Sequence, residues 1–147
     1  MKSKIAAVVV LYNPSLDFIN NIYSYIDHVS LLVIVDNSEK SNSSLLENLS
    51  LNQKVKLISN NENTGIAKAI NSGIKIASSY NFDWALTMDQ DSYFEKEMIN
   101  NYITAFDELA NKEKVALIGP SIEKKENNKN QEEIKNVTSL ITSGSLV

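Results

Sequence analysis

Runs of consecutive apolar residues alternate along this chain with stretches in which apolar residues recur every three or four positions. Ile5 to Tyr12 is continuous and rich in valine, as in a strand covered on both faces. Pro14 and Ser15 then open a helix whose apolar stripe is Leu16, Ile19, Ile22, Tyr23 and Ile26. Leu31 to Val35 predicts a second buried strand, ending on Asp36-Asn37-Ser38. A capping box of Ser44 and Glu47 starts the next helix, and Val55 to Ile58 predicts a third strand. The polar run from Asn60 to Gly65 reads as a loop, and the helix after it carries Ile66, Ala69, Ile70, Ile74 and Ala77 on one side. Trp84 to Met88 predicts a fourth strand, ending on Asp89-Gln90-Asp91. A second capping box, Ser92 with Glu95, precedes a helix bearing Met98, Ile99, Tyr102, Ile103 and Phe106. Val115 to Ile118 predicts a fifth strand closed by Gly119-Pro120, residues 123–133 a solvated loop, and Val137 to Ile141 a further strand.

Strands alternating with helices imply a three-layer α/β/α domain around a mostly parallel sheet. Ligands of such sheets sit beyond the carboxyl ends of the strands, where the strand order reverses. Asn13, Asp36, Asn63 and Asp89 all fall at or just past a strand end, so the pattern gathers polar side chains on one edge.

Composition narrows the chemistry available there. At 147 residues the chain is one domain of ordinary size, with no cysteine for thiolate sites or disulfides. A single histidine, His28, excludes His-based triads and multi-histidine metal sites in this segment. The net charge is −4 and all 14 basic residues are lysines, spread evenly among the acids. No basic face for nucleic acid results. An anionic ligand would therefore need a metal, a helix N-terminus or a placed lysine. The apolar run after Lys4 is short and passes straight into Tyr12-Asn13-Pro14 without a cleavage signature, so it reads as a strand and not a signal peptide. No apolar stretch approaches the length of a membrane span.

Asp89 and Asp91 flank one residue at a strand end and can reach the same small volume. Hard cations such as Mg²⁺ or Mn²⁺ bind through one or two carboxylates plus substrate phosphates, which suits this turn. The same tripeptide also reads as an Asx-turn. Asp36 is either a carboxylate for a base or ribose hydroxyl, or a turn residue beside Asn37 and Ser38. Asn63-Thr64-Gly65 offers a close backbone approach at a helix start, while Gly73 points to tight helix packing. Lys68, one turn into that helix, is a phosphate contact or a solvated lysine; Tyr12 stacks on a base or covers the core. His28 reads as a surface residue near a helix C-terminus, and Trp84 as packing.

Together these segments resemble family 2 glycosyltransferases of the GT-A fold, over at least residues 4–120. The resemblance rests on Val8 to Pro14, Val33 to Ser38, Asn63 to Ala67 with Asn71 to Ile74, and Leu86 to Ser92, in the family's order and spacing. The Asp-Gln-Asp-Ser form and the Tyr-Asn-Pro loop look most like its rhamnosyltransferase-like branch. The resemblance implies a nucleoside held by Tyr12, Asn13, Pro14 and Asp36, with Asn63 and Gly65 lining the base and ribose pocket. Lys68 is carried as a donor contact. Asp89 would face ribose or metal, and Asp91 would ligate a Mg²⁺ or Mn²⁺ bridging the diphosphate. It implies a nucleoside diphosphate sugar (dTDP-rhamnose or a UDP-sugar) as donor, and a glycan or lipid-linked acceptor in polysaccharide biosynthesis. An inverting transfer is implied, at a cytoplasmic location that includes association with the inner face of the membrane in a full-length protein.

The sequence departs from the family in two places. Ile70 stands where many members carry an arginine before the asparagine matching Asn71. The catalytic base and acceptor-binding segment are expected beyond Val147, so this chain is expected to be the donor part of the domain and inactive by itself. A non-catalytic sugar-nucleotide-binding module is the alternative. A dinucleotide-binding domain lacks its G-x-G-x-x-G after the first strand, and a receiver domain lacks its acidic pair there.

Overall fold

The computed structural model describes residues 5–40, 42–95, 97–110, 112–120 and 143–147. Four parallel strands form the sheet: β1 (Ile5–Leu11), β2 (Leu31–Asp36), β3 (Val55–Ser59) and β4 (Trp84–Asp89). A short antiparallel β5 (Ser145–Leu146) adds to the edge of β4, giving the order β3-β2-β1-β4-β5. The chain steps from β1 towards β2 and β3, then crosses back to place β4 on the other side of β1. That reversal is the switch point of the sheet.

Every residue of β1 and β2 is buried, which explains the unbroken apolar runs. Alternate side chains serve opposite layers. Ile5, Ala7, Val9 and Leu11 face a core shared with α1 (Phe18–Tyr23), α2 (Ser43–Ser50) and α4 (Met98–Glu108). Ala6, Val8 and Val10 face α3 (Ile66–Ser79), the longest helix among the described residues, whose contact stripe is Ala69, Gly73 and Ala77. The expected three-layer architecture is therefore the observed one. β3 is an exposed edge with only Val55 buried, guarded by Lys54 and Lys56.

Several local expectations are corrected. The first helix starts at Phe18 instead of Pro14, and its buried side chains are Phe18 and Ile22. Leu16 and Tyr23 are exposed because residues 15–17 form turns that rotate the stripe away from them. Neither capping box forms. Asn42 stands before α2 without a side-chain cap, since Asp36 draws its amide away, and α4 begins only at Met98. Ser92 pairs with Ser143 instead. The strand expected over Val115 to Ile118 is reduced to one antiparallel bridge from Ile118 to Leu146. The edge of β4 is already taken by β5, and Ala116 and Leu117 are left exposed. The loop expected over residues 123–133 and the strand over Val137 to Ile141 lie outside the described residues.

Gly73 shows how closely α3 rides on the sheet. A Cβ there would meet Val8 Cγ1 at 2.3 Å and Val35 Cγ2 at 3.3 Å. Both valines are buried and stiff at χ1, so neither yields cheaply. Gly73→Ala gains about 1 kcal/mol of helix propensity, yet overpacking costs typically about 1–3 kcal/mol. The variant is expected to be less stable than wild type in urea denaturation. A gain in stability would contradict this packing.

Candidate functional site

The carboxyl edge of the sheet is built by register. Val10 on β1 lies opposite Asp89 on β4, and Leu11 lies opposite Asp36 on β2. At the switch point between β1 and β4 opens a cleft of about 390 Å³, lined by Val10, Tyr12, Asn37, Asn63, Ile66, Asp89, Gln90 and Asp91. That volume falls within the usual range of small-molecule sites. Across the edge the contributing loops follow strand order, so the bonded Asn37–Asn63 amides, reached from β2 and β3, lie about two to three strand spacings from the end of β4, roughly 10–14 Å.

At one end stand the two carboxylates. Asp89 is half-buried and Asp91 exposed. Burial pushes the Asp89 carboxyl above its ordinary value of 3.8, the neighbouring Asp91 charge raises it further, and a hydrogen bond from Ser143 opposes the shift. The backbone N–H of Asp89 donates to Ser143 Oγ at 3.1 Å, and Ser143 Oγ and Ser92 Oγ share a hydrogen bond at 2.8 Å. Residues 143–147 are in turn fixed by β5 and by the Tyr102 hydroxyl, which donates to the Gly144 carbonyl. Nothing in the sequence marked Ser143 as a neighbour of Asp89, because the contact spans more than fifty positions.

Gln90 holds the turn to the end of β1. Its Oε1 accepts from the Tyr12 N–H at 2.9 Å, and its Nε2 donates to the Tyr12 carbonyl at 3.3 Å. The Gln90 carbonyl accepts from Asn21 Nδ2 at 3.0 Å. The side-chain amide thus continues the hydrogen-bond ladder past Leu11. Asn13 follows with φ 45°, a left-handed conformation that asparagine tolerates. Its N–H donates to Ser38 Oγ.

At the other end lies an amide network. Asn37 Oδ1 accepts from Asn60 Nδ2, Thr64 N and Thr64 Oγ1, while Asn37 Nδ2 donates to Asn63 Oδ1. Gly65 adopts φ 82° and ψ 151°, a region open essentially to glycine alone, with free space where a Cβ would stand. Backbone conformation, and not crowding, requires glycine at this helix start.

Of the residues singled out from sequence, Tyr12, Asn63, Asp89 and Asp91 line the cleft. Asp36 does not: it is buried, and its carboxylate accepts from Ser38 N, Asn42 N and Asn42 Nδ2, holding the β2–α2 loop. Pro14 is buried beside the cleft, Asn13 and Gly65 are exposed next to it, and Lys68 is exposed on α3 outside the lining. Asn37, Gln90, Val10 and Ile66 are lining residues to which sequence reasoning gave no role. Asn37 and Gln90 carried a signal, being polar residues at strand ends inside the segments already noted. His28 is exposed, and Trp84 packs edge-on against Phe106 at 5.2 Å.

Among the described residues, no group of three or more acidic, histidine or cysteine side chains is arranged to hold a metal. A cation at this edge would be shared between the Asp89–Asp91 pair and oxygens of a ligand. The chemistry of the pair fits such an ion: two like charges close together, one of them partly desolvated. No helix among the described residues is long and apolar enough to cross a membrane.

The chain is 37% identical over 100 residues to the dTDP-rhamnosyl transferase RfbF of Shigella flexneri, an alignment covering 67% of this chain. It spans 33% of that protein's length. The crystal structure of S. aureus TarS superposes with a TM-score of 0.59 over 71% of this chain and 20% of that one. At 23% identity that likeness speaks for the fold alone, the GT-A fold expected above. The sequence profile described as Glycosyl transferase family 2 matches residues 8–142. The match runs through the strand ends that build the cleft and covers nearly all of the chain, which therefore belongs to glycosyl transferase family 2.

Proposed function

We propose that this chain forms the donor-binding part of a glycosyltransferase whose donor is a nucleoside diphosphate sugar, dTDP-rhamnose or a UDP-sugar. The observation that carries the reading is the placement of Asp89 and Asp91 at the switch point, at the far end of one cleft from the Asn37–Asn63 amides. The likeness to a dTDP-rhamnosyl transferase supports the choice of nucleotide and sugar. A separation of about two to three strand spacings, roughly 10–14 Å, suits a nucleoside at the amide end and a diphosphate at the carboxylate end.

Asp91, with Asp89 beside it, would hold Mg²⁺ or Mn²⁺. When bound, the ion neutralises the departing diphosphate as a Lewis acid. This chain carries no arginine, and Lys68 lies outside the cleft lining, so neither supplies a positive charge within that lining. Gln90 keeps the carboxylate turn in register with Tyr12, an exposed residue at the cleft whose ring would cover the nucleoside. With both cleft carboxylates assigned to the donor, deprotonating the acceptor hydroxyl falls to another residue. The acceptor is a glycan or a lipid-linked sugar, in polysaccharide biosynthesis; its hydroxyl loses a proton to the base and attacks the donor's anomeric carbon, displacing the nucleoside diphosphate with inversion.

Two carboxylates make an incomplete shell for either ion, so metal and nucleotide should bind cooperatively. In calorimetry, dTDP or UDP is expected to bind at least about tenfold more tightly with Mn²⁺ than without it. Asp91→Ala should abolish that gain. Affinity indifferent to both the metal and the substitution would refute the metal assignment.

The raised Asp89 carboxyl also predicts a pH dependence. Since its folded-state value lies above the ordinary 3.8, the cost of ionising it is absent below that value and fully present above the raised one. Stability relative to Asp89→Asn should therefore fall as pH rises through that window, and Mn²⁺ with nucleotide should cancel the difference. Thermal melts of both proteins between pH 3.5 and 7 provide the comparison. A difference that stays flat with pH would contradict the shift.

A further inference from the structure

Resting on the donor-site reading above, we propose that Asn63 selects the nucleobase, presenting its amide N–H to a ring carbonyl and so favouring uracil or thymine over cytosine. Backbone donors fix which end of each of two side-chain amides is oxygen. A backbone N–H can only donate. Thr64 N donates to the Asn37 side chain at 3.1 Å, and Gly65 N donates to the Asn63 side chain at 3.0 Å. Both contacted atoms are therefore oxygens, and the Asn37 Nδ2 donation to Asn63 Oδ1 at 3.1 Å follows consistently. Asn63 Oδ1 is thus occupied by two donors that belong to the fold.

What remains for a ligand is the other end of that amide. Among the described residues, Asn63 Nδ2 has no hydrogen-bond partner, and the residue is exposed at the cleft. The remaining polar side chains at this end are committed or covered. Asn37 is only 2% exposed, and the Tyr12 hydroxyl faces Glu39 Oε1 at 3.3 Å. Both polar atoms of the Gln90 amide are held by the Tyr12 backbone. Ile66, 55% exposed, and the Tyr12 ring offer apolar surface to a flat base nearby. The base end of the cleft therefore offers a donor from Asn63 and no free side-chain acceptor among its described lining residues.

Uracil and thymine carry a carbonyl acceptor at ring position 4, where cytosine carries an amino donor. A donor facing the carbonyl makes a hydrogen bond; a donor facing the amino group leaves both unpaired. Asn63 can impose this choice because the fold, through Gly65 and Asn37, prevents its amide from flipping.

Asn63→Asp tests the claim directly. It is isosteric, keeps an oxygen for Asn37 Nδ2 and Gly65 N, and turns the outward group from donor to acceptor. UDP and CDP carry the same charge, so their affinity ratio cancels the added negative charge. In calorimetry with Mn²⁺, the wild-type chain is expected to bind UDP about tenfold more tightly than CDP. Asn63→Asp should lower that ratio by about tenfold or more, to parity or inversion, and Asn63→Ala should bring it near one. Circular dichroism melts identify a variant that has lost its fold, and the other variant then carries the test. A wild-type ratio of one, or a ratio unchanged in a folded variant, overturns the assignment of Asn63 while leaving the donor site standing. If the wild type binds neither nucleotide, the donor-site reading fails and the base assignment falls with it.

Discussion

Parallel pairing between β1 and β4 sets Val10 opposite Asp89, while the other edge of β1 sets Leu11 opposite Asp36. The consequences follow from burial. β1 is covered on both faces, so its position is fixed by packing against Gly73 and Ala69 on one side and against α1, α2 and α4 on the other. Polar groups at its end cannot drift without disturbing that core. The two carboxylates of the β4 turn are therefore held near one another, at a partly desolvated edge where they repel. Gln90 and Ser143 tie the turn down from two directions, and neither supplies a positive charge.

Amides take much of the organising work at this edge. Asn21, Asn37, Asn42, Asn60 and Asn63 connect successive loops, and the buried Asp36 accepts from one of them. Each bond is worth only about 1 kcal/mol net, but an unpaired buried group would cost more. No buried side-chain polar atom among the described residues lacks a partner. A network of this kind orients its members: once Thr64 N and Gly65 N have chosen their oxygens, the outward-facing ends are settled as well. Geometry at the mouth of the cleft is thus inherited from the hydrogen-bond needs of the loop beneath it.

The strands were legible because burial on both faces leaves an unbroken apolar run, as in β1 and β2. Asp89 and Asp91 were legible as a pair because they follow such a run. Local polar patterns were less informative. Ser44 with Glu47, and Ser92 with Glu95, match a capping box in sequence, yet α2 already starts at Ser43, which puts Ser44 inside the helix, and Ser92 is bonded to Ser143 from elsewhere in the fold. The reading of Val115 to Ile118 as a strand failed for a related reason. Its apolar residues suggested pairing, but the β4 edge is occupied by residues 145–146. Asp36 was correctly placed at a strand end, while the inward turn of its carboxylate depends on Asn42, six positions away. Sequence marked which residues reach the edge; long-range hydrogen bonds decide which of them face the cleft.

The central claim is that the β4 turn and the amide end of the cleft bind the two ends of one nucleoside diphosphate, with a metal at the carboxylates. Crystals of the chain grown with Mn²⁺ and dTDP or UDP, measured for anomalous scattering, address it directly. The account predicts one manganese peak within about 2.5 Å of an Asp91 carboxylate oxygen, touching the diphosphate, with the base against Tyr12 and Asn63. A diphosphate bound without metal near Asp91, or a nucleotide seated away from this cleft, would contradict it.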